Sequence, residues 1–200
     1  MAVRPGTLTA ERVRPPVLAD LLPGARVRDA LLVVGYAALV GLTAQVVLRL
    51  PFTPVPITGQ TFGVLLGGMA VGWRRAGLGM ALYLLAGLGG LPWFAAGSGG
   101  WAVAASPTIG YLVAFVVAGP AVGWLAGHRA DRHPAATVLA MAVGTALIYG
   151  GGVTGLMITL HLDLSRAVVL GVLPFLVGDT LKAVMAAILL PGAWRLSGRR

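Results

Sequence analysis

Six long apolar runs divide the chain, and short stretches that contain proline, arginine or both separate them. A helix that crosses a bilayer needs about 20 mostly apolar residues, so runs of this kind are typical of transmembrane helices. We therefore predict an all-α integral membrane protein with six transmembrane helices, at about 30–48, 57–72, 77–90, 109–127, 135–160 and 167–190.

The positive residues between these runs predict the orientation of the helices. Twelve of the 15 Lys and Arg residues flank one side of the predicted bundle, only Arg49 and Arg166 flank the other, and Lys182 lies within the last run. Positive residues near span ends stay in the cytoplasm. We expect a multi-pass protein of the cell membrane, with a cytoplasmic N-terminal tail at 1–28, a membrane domain at 29–191 and a basic cytoplasmic tail at 192–200.

The overall composition agrees with a protein embedded in lipid. Hydrophobic residues make up 58% of the chain and charged residues only 10%, whereas about a quarter of a soluble domain is charged. A net charge of +9 would suggest nucleic acid as a partner of a soluble protein. Here the arginines flank apolar runs, so we expect no nucleic-acid partner. The chain has no cysteine, which excludes disulfides and thiolate chemistry.

Two of the runs are too short to cross a bilayer unaided. The second and third runs each adjoin an uncharged stretch rich in proline or glycine, at 51–59 and 91–108, which we call the first and second connectors. Non-helical backbone at membrane depth occurs only where protein buries it or where it lines a cavity. We predict an outward-facing cavity covered by both connectors. The alternative is a pair of ordinary interfacial loops.

Two charges lie in the middle of the last run. Asp179 and Lys182 are three residues apart, which places them on one face of a helix and close enough to interact. Ionisable groups at this depth are costly and usually face a cavity or a partner. We predict that the carboxylate and the ammonium meet a polar ligand. An ion pair that only fixes helix packing is the alternative.

Further candidates for ligand binding are polar or aromatic. Tyr83, Tyr149 and Trp101 are suited to wall an apolar pocket, although Trp and Tyr also form belts at membrane interfaces. Thr58 and Gln60 are suited either to bind a ligand or to cap the second helix. Ser98, in the second connector, is also a candidate for ligand binding.

Enzymatic chemistry finds little support in the sequence. A serine nucleophile at Ser98 needs a positioned base, and the histidines of the chain lie at predicted span ends. No phosphate-binding loop and no metal-ligand spacing occur, so we predict a protein that is not an enzyme and has neither metal nor cofactor. Ala37 and Gly41 form a small-residue patch that is either a docking face for a membrane partner or a chance product of a glycine-rich chain.

Five sequence blocks resemble the BioY family. They are PFTPVPITGQT at 51–61, VLLGG at 64–68, GLPWFAAGSGG at 90–100, PTIGY at 107–111 and LPFLVGDTLKA at 173–183. BioY proteins are the biotin-capture subunits, or S components, of energy-coupling factor (ECF) transporters. The likeness runs in order over nearly the whole membrane domain.

The resemblance implies an S-component fold, an outward-facing biotin site and uptake of biotin across the cell membrane. The acid and the lysine that contact biotin in the family correspond to Asp179 and Lys182. The implied partners are a transmembrane coupling protein and two cytoplasmic ATPases. An S component for another vitamin, or a biotin carrier that works without the ATPases, remains an alternative.

Overall fold

The computed structural model describes residues 17–21 and 26–197, and this part of the chain is almost entirely helical. The α-helices are α1 (Arg26–Thr43), α2 (Gln60–Val71), α3 (Trp73–Leu88), α4 (Ile109–Ala126), α5 (Pro134–Leu160), α6 (Leu164–Gly171) and α7 (Leu176–Leu196). A two-stranded antiparallel ribbon joins β1 (Val47–Leu48) to β2 (Ile57–Thr58). Short 3-10 turns lie at Leu18–Leu21, Ala95–Gly97, Trp101–Ala105 and Leu173–Phe175.

The last predicted helix is interrupted. The apolar run that predicts one helix at 167–190 folds as α6, a 3-10 turn and α7, because Pro174 has no N–H to continue the helical hydrogen bonds. If α6 and α7 are counted as one unit, the described residues contain six helical units, the number predicted. Three of these are long and apolar enough to cross a membrane, namely Ile109–Ala126, Pro134–Leu160 and Leu164–Leu196.

Several helix ends differ from the predicted spans. Helix α1 begins within the predicted tail at Arg26 and ends at Thr43, because the chain turns there into the ribbon. Helix α2 begins only at Gln60, since Ile57 and Thr58 form β2. The predicted tails at 1–28 and 192–200 lie largely outside the described residues, although α7 continues to Leu196.

The bundle has two chemically different ends. At one, which we call the connector end, α1 and α3 finish, α2 and α4 begin, and the connectors cross between them. At the other, which we call the basic end, a single glycine, Gly72, joins α2 to α3 with a φ of 83°. Most arginines in the described part of the chain lie at the basic end, including Arg75 at the start of α3 and Arg129 and Arg132 between α4 and α5.

Glycines let a tyrosine hold three helices together. Tyr36 of α1 is buried, and its hydroxyl donates to Val64 O of α2 at 2.6 Å. Its ring lies between Gly67 and Gly79, where an added Cβ would come within 2.5 Å and 2.6 Å of ring atoms. A side chain at either glycine would therefore overlap the ring, and α1 could not approach α2 and α3 so closely.

The predicted docking patch on α1 does not face outward. Ala37 has no exposed surface, and Gly41 is also buried. A Cβ at Gly41 would lie 3.2 Å from Trp93 Cβ of the second connector. Within this chain, their small size admits Trp93 and the rest of the core; docking of a partner at these residues stays a prediction.

Candidate ligand-binding site

A cavity lies under the two connectors, as the sequence predicts. It has a volume of about 50 Å³ and draws its walls from both connectors and from α2, α4, α5 and α7. The first connector brings non-helical backbone to the cavity through Val55 and Pro56, just before the first turn of α2. The lining residues are Val55, Pro56, Thr58, Gln60, Thr61, Phe94, Ala95, Ser98, Thr108, Tyr111, Leu112, Phe115, Tyr149, Phe175, Asp179 and Lys182.

Asp179 and Lys182 form an ion pair on the cavity wall. Lys182 Nζ lies 2.7 Å from Asp179 Oδ1, and the two side chains are 17% and 7% exposed. The first turn of α7 holds Asp179, where the positive end of the helix dipole stabilises a carboxylate. The pair is thus oriented by one helix and faces both the cavity and the first connector.

Every hydrogen-bonding position of the ammonium is used within the chain. Lys182 Nζ donates to Thr61 Oγ1 at 2.6 Å and to Thr58 O at 3.0 Å, in addition to Asp179. Asp179 accepts from Thr61 Oγ1 at 3.0 Å and from Tyr149 OH at 2.6 Å. A lysine ammonium has three donors and a carboxylate about four acceptor sites. The pair is therefore nearly saturated before any ligand arrives.

The break between α6 and α7 is closed by a side chain of the first connector. Pro174 cannot donate to Leu170 O, four residues earlier, and Thr53 Oγ1 donates to this carbonyl instead, at 2.7 Å. The next carbonyl, Gly171 O, accepts from Tyr111 OH at 2.7 Å. The freed carbonyl therefore attaches the first connector to the broken helix and does not point into the cavity as an open acceptor.

Gln60, Thr58 and Tyr83 form a second polar network. Gln60 Nε2 donates to Tyr83 OH at 2.7 Å, and Gln60 Oε1 accepts from Thr58 Oγ1 at 3.0 Å. Thr58 Oγ1 also accepts from Gln60 N at 3.3 Å, so it satisfies the first N–H of α2 as well. Tyr83 itself is fully buried and does not line the cavity. It holds the second connector by donating to Trp93 O at 3.2 Å.

Aromatic rings form the apolar part of the wall. Tyr111 and Phe175 lie with ring centroids 6.3 Å apart, and Phe115 lies one turn along α4 from Tyr111. Phe94 of the second connector is buried and makes an edge-to-face contact with Tyr83 at 5.2 Å. The cavity thus combines an apolar body with a charged pair at one side.

The remaining predicted residues have different fates. Ser98 lines the cavity, although its hydroxyl donates to Ala95 O at 2.8 Å within the second connector. Trp101 is 76% exposed and is not part of the wall. The 3-10 turn that carries it leaves the indole ring exposed, as the alternative of an interfacial belt expects; a role in ligand binding stays a prediction.

Sequence reasoning missed several wall residues. Thr61 touches both charges, and Tyr111, Phe115 and Phe175 supply aromatic surface. Two signals were present for them. Thr61 follows Gln60 directly in the first block, and Tyr111 and Phe115 are four residues apart, which is one turn of a helix.

This arrangement suits a small molecule with both apolar and polar parts. The carboxylate can accept from N–H groups, and the ammonium can donate to a carbonyl or carboxylate. Among residues 17–21 and 26–197, no group of His, Asp or Glu side chains is placed to hold a metal ion. Fold and site together define a membrane-embedded binding protein with a site for a small amphiphilic ligand.

Comparison with known proteins identifies the family. The sequence profile described as "BioY family" matches residues 14–199. The chain is 35% identical to "Biotin transporter BioY" of Rhizobium etli, over 81% of this chain and 90% of that protein. It is 36% identical to "Biotin transporter BioY" of Thermotoga maritima, over 71% and 82%. The chain belongs to the BioY family.

A solved structure has the same fold. It is described as the crystal structure of the S-component for biotin from an ECF-type ABC transporter, and it matches with a TM-score of 0.76 at 21% identity, over 87% of this chain and 93% of that one. The predicted all-α, six-helix S-component architecture is therefore confirmed.

Proposed function

We propose that the chain binds biotin and is the substrate-binding subunit of an ECF-type ABC transporter that takes biotin up across the cell membrane. The observation that carries this proposal is the Asp179–Lys182 pair, which faces an aromatic cavity in a BioY-family chain. Biotin has two ureido N–H donors, a ureido carbonyl, an apolar thioether ring and a carboxylate. Each of these has a matching group on the wall.

Biotin has to replace partners that the charged pair already has. Lys182 uses its three donors on Thr58 O, Thr61 and Asp179, so a ligand oxygen gains the ammonium only by displacing one of them. Asp179 retains room for one more donor. This existing network holds both charges in place and limits the reorganisation that binding requires.

The cavity also has to enlarge. Its volume of about 50 Å³ is well below the roughly 300–1,000 Å³ of typical small-molecule sites. The second connector supplies Phe94, Ala95 and Ser98 to the wall and has no helical ladder across most of its length. We therefore assign the enlargement to an outward movement of this connector.

Thermal stability with ligand tests the proposal directly. Biotin should raise the melting temperature of the purified protein, because a ligand that binds only the native state stabilises it by mass action. Riboflavin and thiamine should give no shift. Asp179→Asn and Lys182→Ala should abolish the response to biotin, whereas Asp163→Asn and Arg166→Gln, at the exposed start of α6, should keep it. A full biotin response in both site variants would refute the assignment of the site.

The partners and the orientation belong to the same proposal. We assign a transmembrane coupling protein and two ATPase subunits as partners, and we place both termini in the cytoplasm. Uptake that persists in cells lacking the ATPases would favour a carrier that works alone. Because the chain has no cysteine, single cysteines placed near Trp101 and near Arg195 can be tested for labelling by a membrane-impermeant thiol reagent added outside the cell. The proposed orientation predicts labelling at the first position only.

A further inference from the structure

A pocket at the basic end has no part in the biotin site. It has a volume of about 300 Å³ and lies between the α4–α5 turn and the last turns of α7. Its lining is formed by Arg129, Arg132, His133, Pro191, Trp194 and Arg195. Three guanidinium groups and an imidazole therefore surround an apolar floor made by the proline and the tryptophan.

The single acid of this region is turned away from the pocket. Asp131 is fully buried and accepts from Trp194 Nε1. Arg132 packs over the Trp194 ring, with its guanidinium carbon 4.2 Å from the ring centroid. The tryptophan thus separates the carboxylate from the open side of the pocket and holds one arginine in place.

The other two arginines present their charges to the surroundings. Within the described residues, Arg129 and Arg195 are exposed and take part in no ion pair. Arg75, at the same end of the bundle, differs in this respect. It lies 2.8 Å from Asp20 and 2.9 Å from Asp29. The pocket therefore holds uncompensated positive charge, whereas Arg75, on the opposite side of the same end, is paired with two carboxylates.

The depth of the pocket indicates what kind of anion reaches it. Trp73 and Trp124 are 41% and 49% exposed at this end of the bundle, and exposed tryptophans mark the level of lipid headgroups. Beside the pocket, α7 presents Ile188 and Leu189 outward, 67% and 50% exposed. A ligand with a phosphate and two acyl chains would meet the arginines with one part and this apolar face with the other.

We propose that this pocket binds the phosphate headgroup of an anionic phospholipid. Basic pockets between transmembrane helices are suited to such headgroups, and the planar guanidinium groups of Arg129 and Arg195 match phosphate geometry by paired hydrogen bonds. Bound lipid would bridge the α4–α5 turn to the end of α7. Neither biotin nor a partner subunit is needed for this binding.

Native mass spectrometry of the full chain, purified in detergent, tests the proposal. The probes are phosphatidylglycerol and phosphatidylcholine with identical acyl chains, and the variant is Arg129→Gln/Arg195→Gln. Wild-type protein should retain phosphatidylglycerol in preference to phosphatidylcholine. The variant should bind phosphatidylglycerol about 25-fold more weakly, because each of the two arginines near an anionic headgroup contributes a factor of about five.

The control removes the same charge elsewhere at the same end. Arg26→Gln/Arg74→Gln changes two exposed arginines outside the pocket, and it should keep the preference for phosphatidylglycerol. Unchanged gel-filtration profiles establish that both variants fold. If Arg129→Gln/Arg195→Gln does not fold, Arg195→Gln alone is used to measure the loss of phosphatidylglycerol binding. The proposal would be overturned if the two double variants lost phosphatidylglycerol binding equally, or if the wild-type protein retained phosphatidylglycerol and phosphatidylcholine equally. A melting shift with inorganic phosphate but none with phosphatidylglycerol, or capture of acidic peptides alone, would also overturn it.

Discussion

Helix α7 carries charge near both of its ends, and the two groups are built in opposite ways. At its start, Lys182 and Asp179 are mostly buried and satisfy each other together with Thr61. At its finish, Arg195 is exposed and lines a pocket in which arginines outnumber acids. One site is thus saturated with internal partners, and the other is not.

The difference shows what each site requires of a ligand. A ligand at the saturated pair exchanges one hydrogen bond for another, so shape and correct placement decide which molecule binds. A ligand at the basic pocket adds charge pairing that the chain does not supply, so net charge decides, and the binding is sensitive to salt. High selectivity is therefore expected at the start of α7 and broad anion preference at its finish.

The largest effect is expected from Lys182→Met. Removing one partner of a buried pair leaves an uncompensated charge and costs about 3–5 kcal/mol, so the melting temperature should fall steeply. Asp179→Asn/Lys182→Met, which leaves no buried charge, should recover most of the stability but should still not respond to biotin. If Lys182→Met alone were as stable as the wild type, Asp179 would not depend on Lys182 for its stability, and the description of a buried, mutually satisfied pair would be contradicted.

A second effect tests how tightly the connector end is packed. Gly41→Leu places side-chain atoms where Trp93 now lies, 3.2 Å from the added Cβ, and overpacking of this kind costs about 1–3 kcal/mol. Gly35→Leu is the matched control on the same helix, because no atom lies within 4 Å of its Cβ position. Thermal melting of both proteins should show a loss for Gly41→Leu alone.

A smaller effect is expected at the hydroxyl that joins both charges. Thr61→Val keeps the shape but removes the group that donates to Asp179 and accepts from Lys182, at a cost of about 1–3 kcal/mol for polar groups left unsatisfied. The control is Thr180→Val, whose exposed hydroxyl donates only to its own helix at Leu176 O. Equal melting temperatures for the two variants would count against the role given to Thr61.

The smallest effect concerns Asp131 at the basic end. Burial raises the pKa of its carboxyl, with the hydrogen bond from Trp194 acting in the opposite direction. An acid with a raised pKa binds its proton more tightly in the folded state, so its contribution to stability improves as pH falls from neutral through that pKa. Asp131→Asn should remove this gain, which melting curves between about pH 7 and pH 4 would reveal.

Asp163, at the connector end, should behave in the opposite sense. The backbone N–H of Arg166 donates to its carboxylate at 2.9 Å and lowers its pKa. Stability from this cap is present above the ordinary pKa of an aspartate and is lost as pH falls through the lowered value. Asp163→Asn should therefore flatten the acid side of the melting profile. A steeper acid loss in Asp163→Asn would contradict this sign.

The sequence predicts the uninterrupted helices well. Helices α4 and α5 agree with the predicted spans to within a residue at each end, because proline and charged residues bound those apolar runs. The ribbon is missed, since Val47 and Leu48 continue the apolar run of α1. The interruption between α6 and α7 is missed too, because the run stays apolar through the residues around Pro174.

The charged pair is the part of the site that the sequence identifies most directly. Asp179 and Lys182 are identified because ionisable groups in an apolar run are costly. Aromatic side chains give no comparable signal, since hydropathy does not tell which ring faces a cavity. Trp101 is therefore predicted for the wall but lies outside it, and Phe175 is missed. The inward direction of Ala37 and Gly41 likewise depends on where the second connector packs.

The short helices around Gly72 affect the surrounding lipid. Helix α2 has 12 residues and α3 has 16, so they are about 18 and 24 Å long at about 1.5 Å per residue. The hydrocarbon core of a bilayer is about 30 Å thick. Because α3 presents Leu78 and Leu85 outward, we expect the bilayer beside this hairpin to become thinner. Such hydrophobic mismatch costs a fraction of a kcal/mol per Å, so we expect the protein to gather short-chain lipids along α3 and to prefer thin membranes.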